Sequence, residues 1–188
     1  MSPYTFLIAG CGSAGRSVAQ VATQDGRGQI TALVDPQPRQ LEKQREHYPA
    51  AITGTDFSVL LKETQPDVVV IAGPDHLHAD QTLLALEHNC HVLIEKPLAT
   101  TVSDARRIVE TAEACDRHVM TDHTMRYMHP WSSMACAAQA GQVGEIFFIQ
   151  GDYIHDMWSY YAAEGSSHTP WRADQKNPQN ILLGGGCH

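Results

Sequence analysis

Tyr4-Thr5-Phe6-Leu7-Ile8-Ala9-Gly10-Cys11-Gly12-Ser13-Ala14-Gly15 is the stretch that decides the fold. Its apolar start makes a short buried strand, and the Gly10-x-Gly12-x-x-Gly15 spacing makes a tight turn. Ala14, Val18, Val21 and Ala22 then recur at helical intervals. Strand, glycine turn and helix in that order open a unit that cradles a dinucleotide pyrophosphate. Gly10 permits the bend, Gly12 lets backbone approach a phosphate, and Gly15 lets helix and strand pack closely. Cys11, Ser13 and Ala14 complete the turn, where the helix N-terminus presents its positive dipole end to an anion.

Working outward, the same alternation repeats. Strands are expected over Ile30 to Val34, Ala51 to Thr53, Asp67 to Ala72, His91 to Ile94 and Arg117 to Thr121. Helices are expected over Gln37 to His47, over Asp56 to Glu63, and after His78 with Ala79, Leu83 and Leu86 on one face. Ser103 is placed to cap a further helix with an Ala105, Ile108, Val109, Ala112 stripe. Short apolar strands separated by amphipathic helices predict an α/β fold, a doubly wound parallel Rossmann sheet. Beyond residue 122 the texture changes. A helix near Ala135 to Ala140 and an alternating strand from Glu145 to His155 suggest the start of a second α/β domain, and the chain reads as truncated within it. The expected division is 1–122 and 123–188.

Asp35 ends the second strand, 25 residues after Gly10, where a carboxylate would accept hydrogen bonds from adenosine ribose hydroxyls. It would repel a 2′-phosphate, which favours NAD over NADP. Arg39 is the dissenting cation nearby. Glu95-Lys96-Pro97 follows the fifth strand directly, on the edge where open α/β sheets bind ligands. A lysine there can orient a substrate hydroxyl and stabilise developing charge on its oxygen.

Composition narrows the classes. The 188 residues are 43% hydrophobic and 18% charged, which excludes a disordered or low-complexity chain. Thirteen Lys and Arg against twenty-one Asp and Glu leave a net charge of −8, a balance that repels nucleic-acid backbones and anionic lipid. Cys11, Cys90, Cys115, Cys136 and Cys187 show no Cys-x-x-Cys spacing, as suits a reducing compartment. The apolar start has no basic n-region and stops at Gly10, so it reads as neither signal peptide nor membrane span. A cytoplasmic location is expected. No metal is expected either, because the nearest histidine pairs, His76-x-His78 and His88-x-x-His91, lack an accompanying ligand set.

Gly10-x-Gly12-x-x-Gly15, Asp35, Gly73-Pro74-Asp75-His76-Leu77-His78, Glu95-Lys96-Pro97 and Gly184-Gly185-Gly186-Cys187-His188 together resemble the glucose-fructose oxidoreductase, inositol dehydrogenase and rhizopine catabolism (Gfo/Idh/MocA) family. The resemblance implies an NAD(P)-binding Rossmann domain and a second α/β domain whose mainly antiparallel sheet carries substrate and homo-oligomer contacts. It implies hydride transfer between nicotinamide and a secondary alcohol of a sugar, inositol or related polyol. Lys96 would sit beside the reacting hydroxyl, with the Lys96–Pro97 bond cis, and His188 would act as acid/base. Gly73, Pro74 and His78 would line the cofactor with Glu95 and Pro97, and Arg126 resembles the arginine that opens the second domain. Two departures stand out: Gly73 replaces a usual Thr or Ser, and Gly184 replaces the aspartate that usually assists the histidine. The second leaves three alternatives: a downstream carboxylate, catalysis by Lys96 and His188 without one, or a noncatalytic NAD-binding regulator. A redox-neutral enzyme with tightly held NAD is a further alternative.

Overall fold

The computed structural model describes residues 2–165, 168–174, 176 and 182–187. They divide into two units, Met1–Asp122 and His123–His188. The first alternates β1 (Tyr4–Ala9), α1 (Ser13–Thr23), β2 (Gly28–Val34), α2 (Pro38–Arg45), β3 (Ile52–Gly54), α3 (Phe57–Thr64), β4 (Val68–Ile71), α4 (His78–Glu87), β5 (His91–Glu95), α5 (Val102–Ala114) and β6 (Val119–Asp122). Every neighbouring pair of strands is parallel, and the order across the sheet is β3-β2-β1-β4-β5-β6. The order of strand addition reverses between β1 and β4, so the crevice at their carboxyl ends is where such a sheet takes a ligand.

Alternation along each strand sends side chains to two cores. Leu7, Ala9, Val69, Ile71, Val92 and Ile94 pack with Leu61 of α3 and Leu86 of α4 on one face. Ile8, Leu33 and Val70 pack with Ala19 of α1 on the other. Burial of each large aliphatic side chain contributes about 1.5–3 kcal/mol. Cys90 belongs to the first core, and burial pushes its thiol up to about 11.

Helix ends show where local chemistry prevailed over the expected pattern. Asp56 caps α3, its Oδ1 accepting the Val59 N–H at 3.1 Å. The cap of α5 is Thr101 rather than Ser103: the Thr101 hydroxyl oxygen accepts the Asp104 N–H at 3.1 Å. Two residues earlier, threonine is extended, whereas Ser103 is already helical. In α1 the inward residues are Gly15 and Ala19, and Val21 is 67% exposed, contrary to its place in the expected stripe. Small residues win that face because α1 runs close against the sheet. A Cβ at Gly15 would overlap the Gly10 carbonyl oxygen and lie 3.1 Å from Ile8 Cγ2.

The second unit contains α6 (Trp131–Gln139) and single helical turns at Trp158–Tyr161 and Pro170–Ala173. Glu145 to His155 forms no strand, against expectation: among the described residues of this unit none pairs with it, and a strand needs a partner for its backbone. Phe147 and Ile154 are 97% and 95% exposed there. No second sheet forms among the described residues. None of the described helices is long and apolar enough to cross a membrane.

Gly15→Ala should cost about 3 kcal/mol, because backbone rather than a flexible side chain blocks the new methyl group. Urea unfolding measures this, and a loss below about 0.5 kcal/mol would show that α1 can lift away from the sheet.

Candidate functional site

The carboxyl edge of the first unit is built by the turns that leave β1, β2, β4, β5 and β6. At the first, Gly10 has φ +97°, and a Cβ there would meet the Ala72 carbonyl oxygen at 2.5 Å. Packing thus forces both Gly10 and Gly15. Gly12 differs: it is extended, and a Cβ on it would meet nothing within 4 Å. It caps α1 with no side-chain hydrogen bond, so the helix begins with backbone N–H groups facing that open space. Ser13 is exposed and Ala14 half-buried beside it. An open approach to an uncapped helix N-terminus fits a pyrophosphate.

Cys11 turns its side chain inward and is fully buried, its thiol donating to the Val34 carbonyl at 3.7 Å. Burial, with the neighbouring Asp35 charge, pushes that thiol up to about 12. The Cys11 N–H donates to Asp35 Oδ2 at 2.8 Å, so the expected contact of this residue with a cofactor is replaced by a brace inside the turn. Asp35 Oδ1 accepts the Gln37 N–H at 2.8 Å. The carboxylate is only 7% exposed, yet each oxygen retains a second lone pair for a ribose hydroxyl. Arg39 lies exposed on α2.

After β4 comes Gly73, where a Cβ would again meet nothing within 4 Å, then the extended Pro74 and a short turn, Asp75–Leu77, with Asp75 buried. His78 opens α4 and is fully buried. Its Nδ1 lies 2.7 Å from the Pro97 carbonyl oxygen and its Nε2 3.1 Å from that of Gly73. Both ring nitrogens face protein, so direct lining of a cofactor by this ring, as expected from sequence, does not fit.

Glu95 ends β5, Lys96 follows half-buried, and the Lys96–Pro97 peptide bond is cis. Glu95 Oε2 accepts the Lys96 N–H at 3.2 Å. Burial pushes the Glu95 carboxyl above its ordinary range and Asp122 adds to the push, while the Lys96 charge and N–H pull downward. Asp122 pairs with Glu95 across β5 and β6 and escaped sequence reasoning. The signal was present: like Asp35 and Glu95, it is an acidic residue ending a parallel strand at the ligand edge. The first-unit candidates therefore gather on one edge. Arg126 belongs to the second unit, exposed in the turn Thr124–Tyr127, and His188 lies outside the described residues. Among the described residues no cluster of three His, Cys, Asp or Glu could hold a metal.

The raised Glu95 affinity for protons has a definite sign. Between the ordinary and the raised value the folded chain keeps a proton that the unfolded chain has released, so this group lowers stability as pH rises. Glu95→Gln, which keeps an acceptor for the Lys96 N–H, should gain stability relative to the parent as pH increases from about 4 to about 8. Urea midpoints across that range test it, and a constant difference would mean that the carboxyl is not electrostatically burdened.

Residues 4–123 match the family described as an oxidoreductase family with an NAD-binding Rossmann fold. A 1-carboxy-3-chloro-3,4-dihydroxycyclohexa-1,5-diene dehydrogenase from Comamonas testosteroni is 29% identical over 95% of this chain and 42% of its own length. A D-glucoside 3-dehydrogenase from Escherichia coli K12 is 31% identical over 63% of this chain and 34% of its own. A glycosyl hydrolase family 109 protein from Bacteroides thetaiotaomicron is 32% identical over 81% and 35%. The chain thus spans less than half the length of these relatives. In fold it is similar to scyllo-inositol dehydrogenase from Lactobacillus casei with bound NAD(H) and scyllo-inositol, with TM-score 0.72 and 20% identity over 77% of this chain and 43% of that one. It is also similar to the WlbA dehydrogenase from Bordetella pertussis in complex with NADH and UDP-GlcNAcA, with TM-score 0.70 and 24% identity over 77% and 42%. With the glycine turn, the sheet order and a family match over most of the chain in agreement, this protein belongs to the oxidoreductase family with an NAD-binding Rossmann fold.

Proposed function

We propose that the chain is the cofactor-binding part, and the beginning of the substrate and oligomerisation domain, of a cytoplasmic NAD-dependent dehydrogenase acting on a ring-borne secondary alcohol of a sugar, inositol or related polyol. One observation carries the cofactor half: of the glycines in the first turn, Gly12 alone is not required by packing, and it opens on the uncapped N-terminus of α1. The space fits a pyrophosphate, with Asp35 one strand away to receive the adenosine ribose. The substrate half is supported by relatives whose names carry ring hydroxyls, a glucoside, an inositol and a dihydroxycyclohexadiene.

When bound, NAD supplies a nicotinamide ring that accepts a hydride. The chain's own residues do the rest. Gly12, Ser13 and Ala14 would hold the pyrophosphate in the turn that Gly10, Cys11 and Gly15 shape, and Asp35 would select the unphosphorylated ribose. Gly73, Pro74, Glu95 and Pro97 border the remaining half on the β4 and β5 side. Lys96, set on the carboxyl edge by β5, orients the substrate oxygen and stabilises negative charge on it. By the family resemblance His188 is the residue to take the hydroxyl proton, and Arg126 is the arginine that opens the second domain. The assembly is expected to be a homo-oligomer through that unit.

Calorimetric titration of the chain with NAD and NADP tests the cofactor half. NAD should bind at least about tenfold more tightly, because the 2′-phosphate of NADP would lie against Asp35. Gly12→Val should keep stability within about 1 kcal/mol of the parent and lose NAD affinity by at least about tenfold. Equal affinity for both dinucleotides, or an unaffected Gly12→Val, would overturn the assignment. Cofactor retained through purification, with no net NADH formed from polyols, would replace the dehydrogenase by the redox-neutral alternative.

A further inference from the structure

We infer that His78 is a positioning residue, a side-chain rivet that sets the Lys96–Pro97 turn against the Gly73 turn; the inference rests on the dinucleotide-binding reading above. The backbone pairing of β4 with β5 stops at Ile71 and Ile94. Gly73 lies two residues past that end and Pro97 three residues past its counterpart. There His78 takes over: Nδ1 meets the Pro97 carbonyl oxygen at 2.7 Å and Nε2 meets the Gly73 carbonyl oxygen at 3.1 Å. Both partners are carbonyl oxygens, which only accept, so a neutral ring donates to one of them: the shorter contact assigns that donor to Nδ1 and Pro97, 19 residues away in sequence, while Nε2 packs against the Gly73 turn, 5 residues away.

Its burial makes the arrangement expensive to lose. His78 is fully buried and Pro97 is buried too, so a carbonyl stripped of its partner there would be left without ready access to water. The consequence falls on Lys96. Its N–H is received by Glu95 Oε2 on one side, and the carbonyl of the following residue, Pro97, faces His78 on the other. A cation that must address a particular oxygen needs its backbone fixed to a fraction of an ångström, and displacements of about 1 Å cost large factors in rate. His78 therefore acts through Lys96 and Gly73, without touching the ligand.

The position of the two turns says which part of the ligand should feel the rivet. With adenosine ribose at Asp35 after β2 and pyrophosphate at α1, the residues left to hold the nicotinamide half would be those at the β4 and β5 ends, Gly73 and Lys96. ADP-ribose, which lacks nicotinamide, should be indifferent to it.

Two substitutions separate the ring nitrogens. The amide nitrogen of Asn stands as many bonds from Cα as Nδ1 does, and that of Gln as many as Nε2. His78→Asn therefore keeps a donor toward Pro97, and His78→Gln keeps only the one toward Gly73. Calorimetry on the 188-residue chain should show NAD affinity about tenfold weaker in His78→Gln, ADP-ribose affinity within about twofold of the parent, and most NAD affinity recovered in His78→Asn. On the parent chain, which no folding defect can confuse, the ring ¹⁵N signals of His78 should shift with NAD and stay in place with ADP-ribose. Equal losses for both ligands, no loss for either, or ring signals that respond alike to both would make His78 merely a packed core residue and overturn the inference. A parent chain that binds neither ligand would instead fail the dinucleotide-binding reading on which the inference stands.

Discussion

The buried carboxylate of Asp35 is the constraint on which the ligand edge depends. By receiving the N–H groups of Cys11 and Gln37, it ties the first turn to the end of β2. A carboxylate so largely buried is costly unless hydrogen bonds compensate it, so the two strand ends are obliged to stay together. The Gly10 and Gly15 contacts then draw α1 down and fix its N-terminus through the protein's own packing. Preorganisation of this kind reduces the ordering cost of binding.

A second tie does the same for the other half of the edge. β4 and β5 end in turns that the sheet no longer holds, and His78 bridges them. The edge thus has two side-chain clamps, an anion on the β1 and β2 side and an imidazole on the β4 and β5 side, each working through backbone groups. Between them lies Gly12, whose open space neither clamp occupies.

Much of this was legible in the sequence, because the glycine spacing and the alternation of apolar runs report directly on backbone geometry. Ala79, Leu83 and Leu86 face inward as their spacing predicts. The failures share a cause: a linear pattern records what a side chain favours, not what is near it. Thr101 and Ser103 are chemically similar caps, and only backbone conformation chooses between them. Val21 has the apolar character of a core residue, yet the closeness of α1 to the sheet gives the interior to Gly15 and Ala19. His78 stood in a motif that pointed toward a cofactor, and its partners Gly73 and Pro97 were visible only in three dimensions. Glu145 to His155 alternates correctly, but alternation supplies no neighbouring strand.

The cysteines carry a practical consequence. Cys11 sits within the cofactor turn, and Cys90 lies in the core beside α4; both are sealed, with thiolates suppressed far above neutral pH. Cys136 on α6 is exposed. A maleimide or iodoacetamide reagent at neutral pH thus meets a graded set of sulfurs: Cys136 is exposed in the other unit from the glycine turn, Cys115 and Cys187 are half-buried, and Cys11 and Cys90 are sealed. A fluorophore placed at Cys136 would report on the second unit while leaving the dinucleotide cradle chemically untouched.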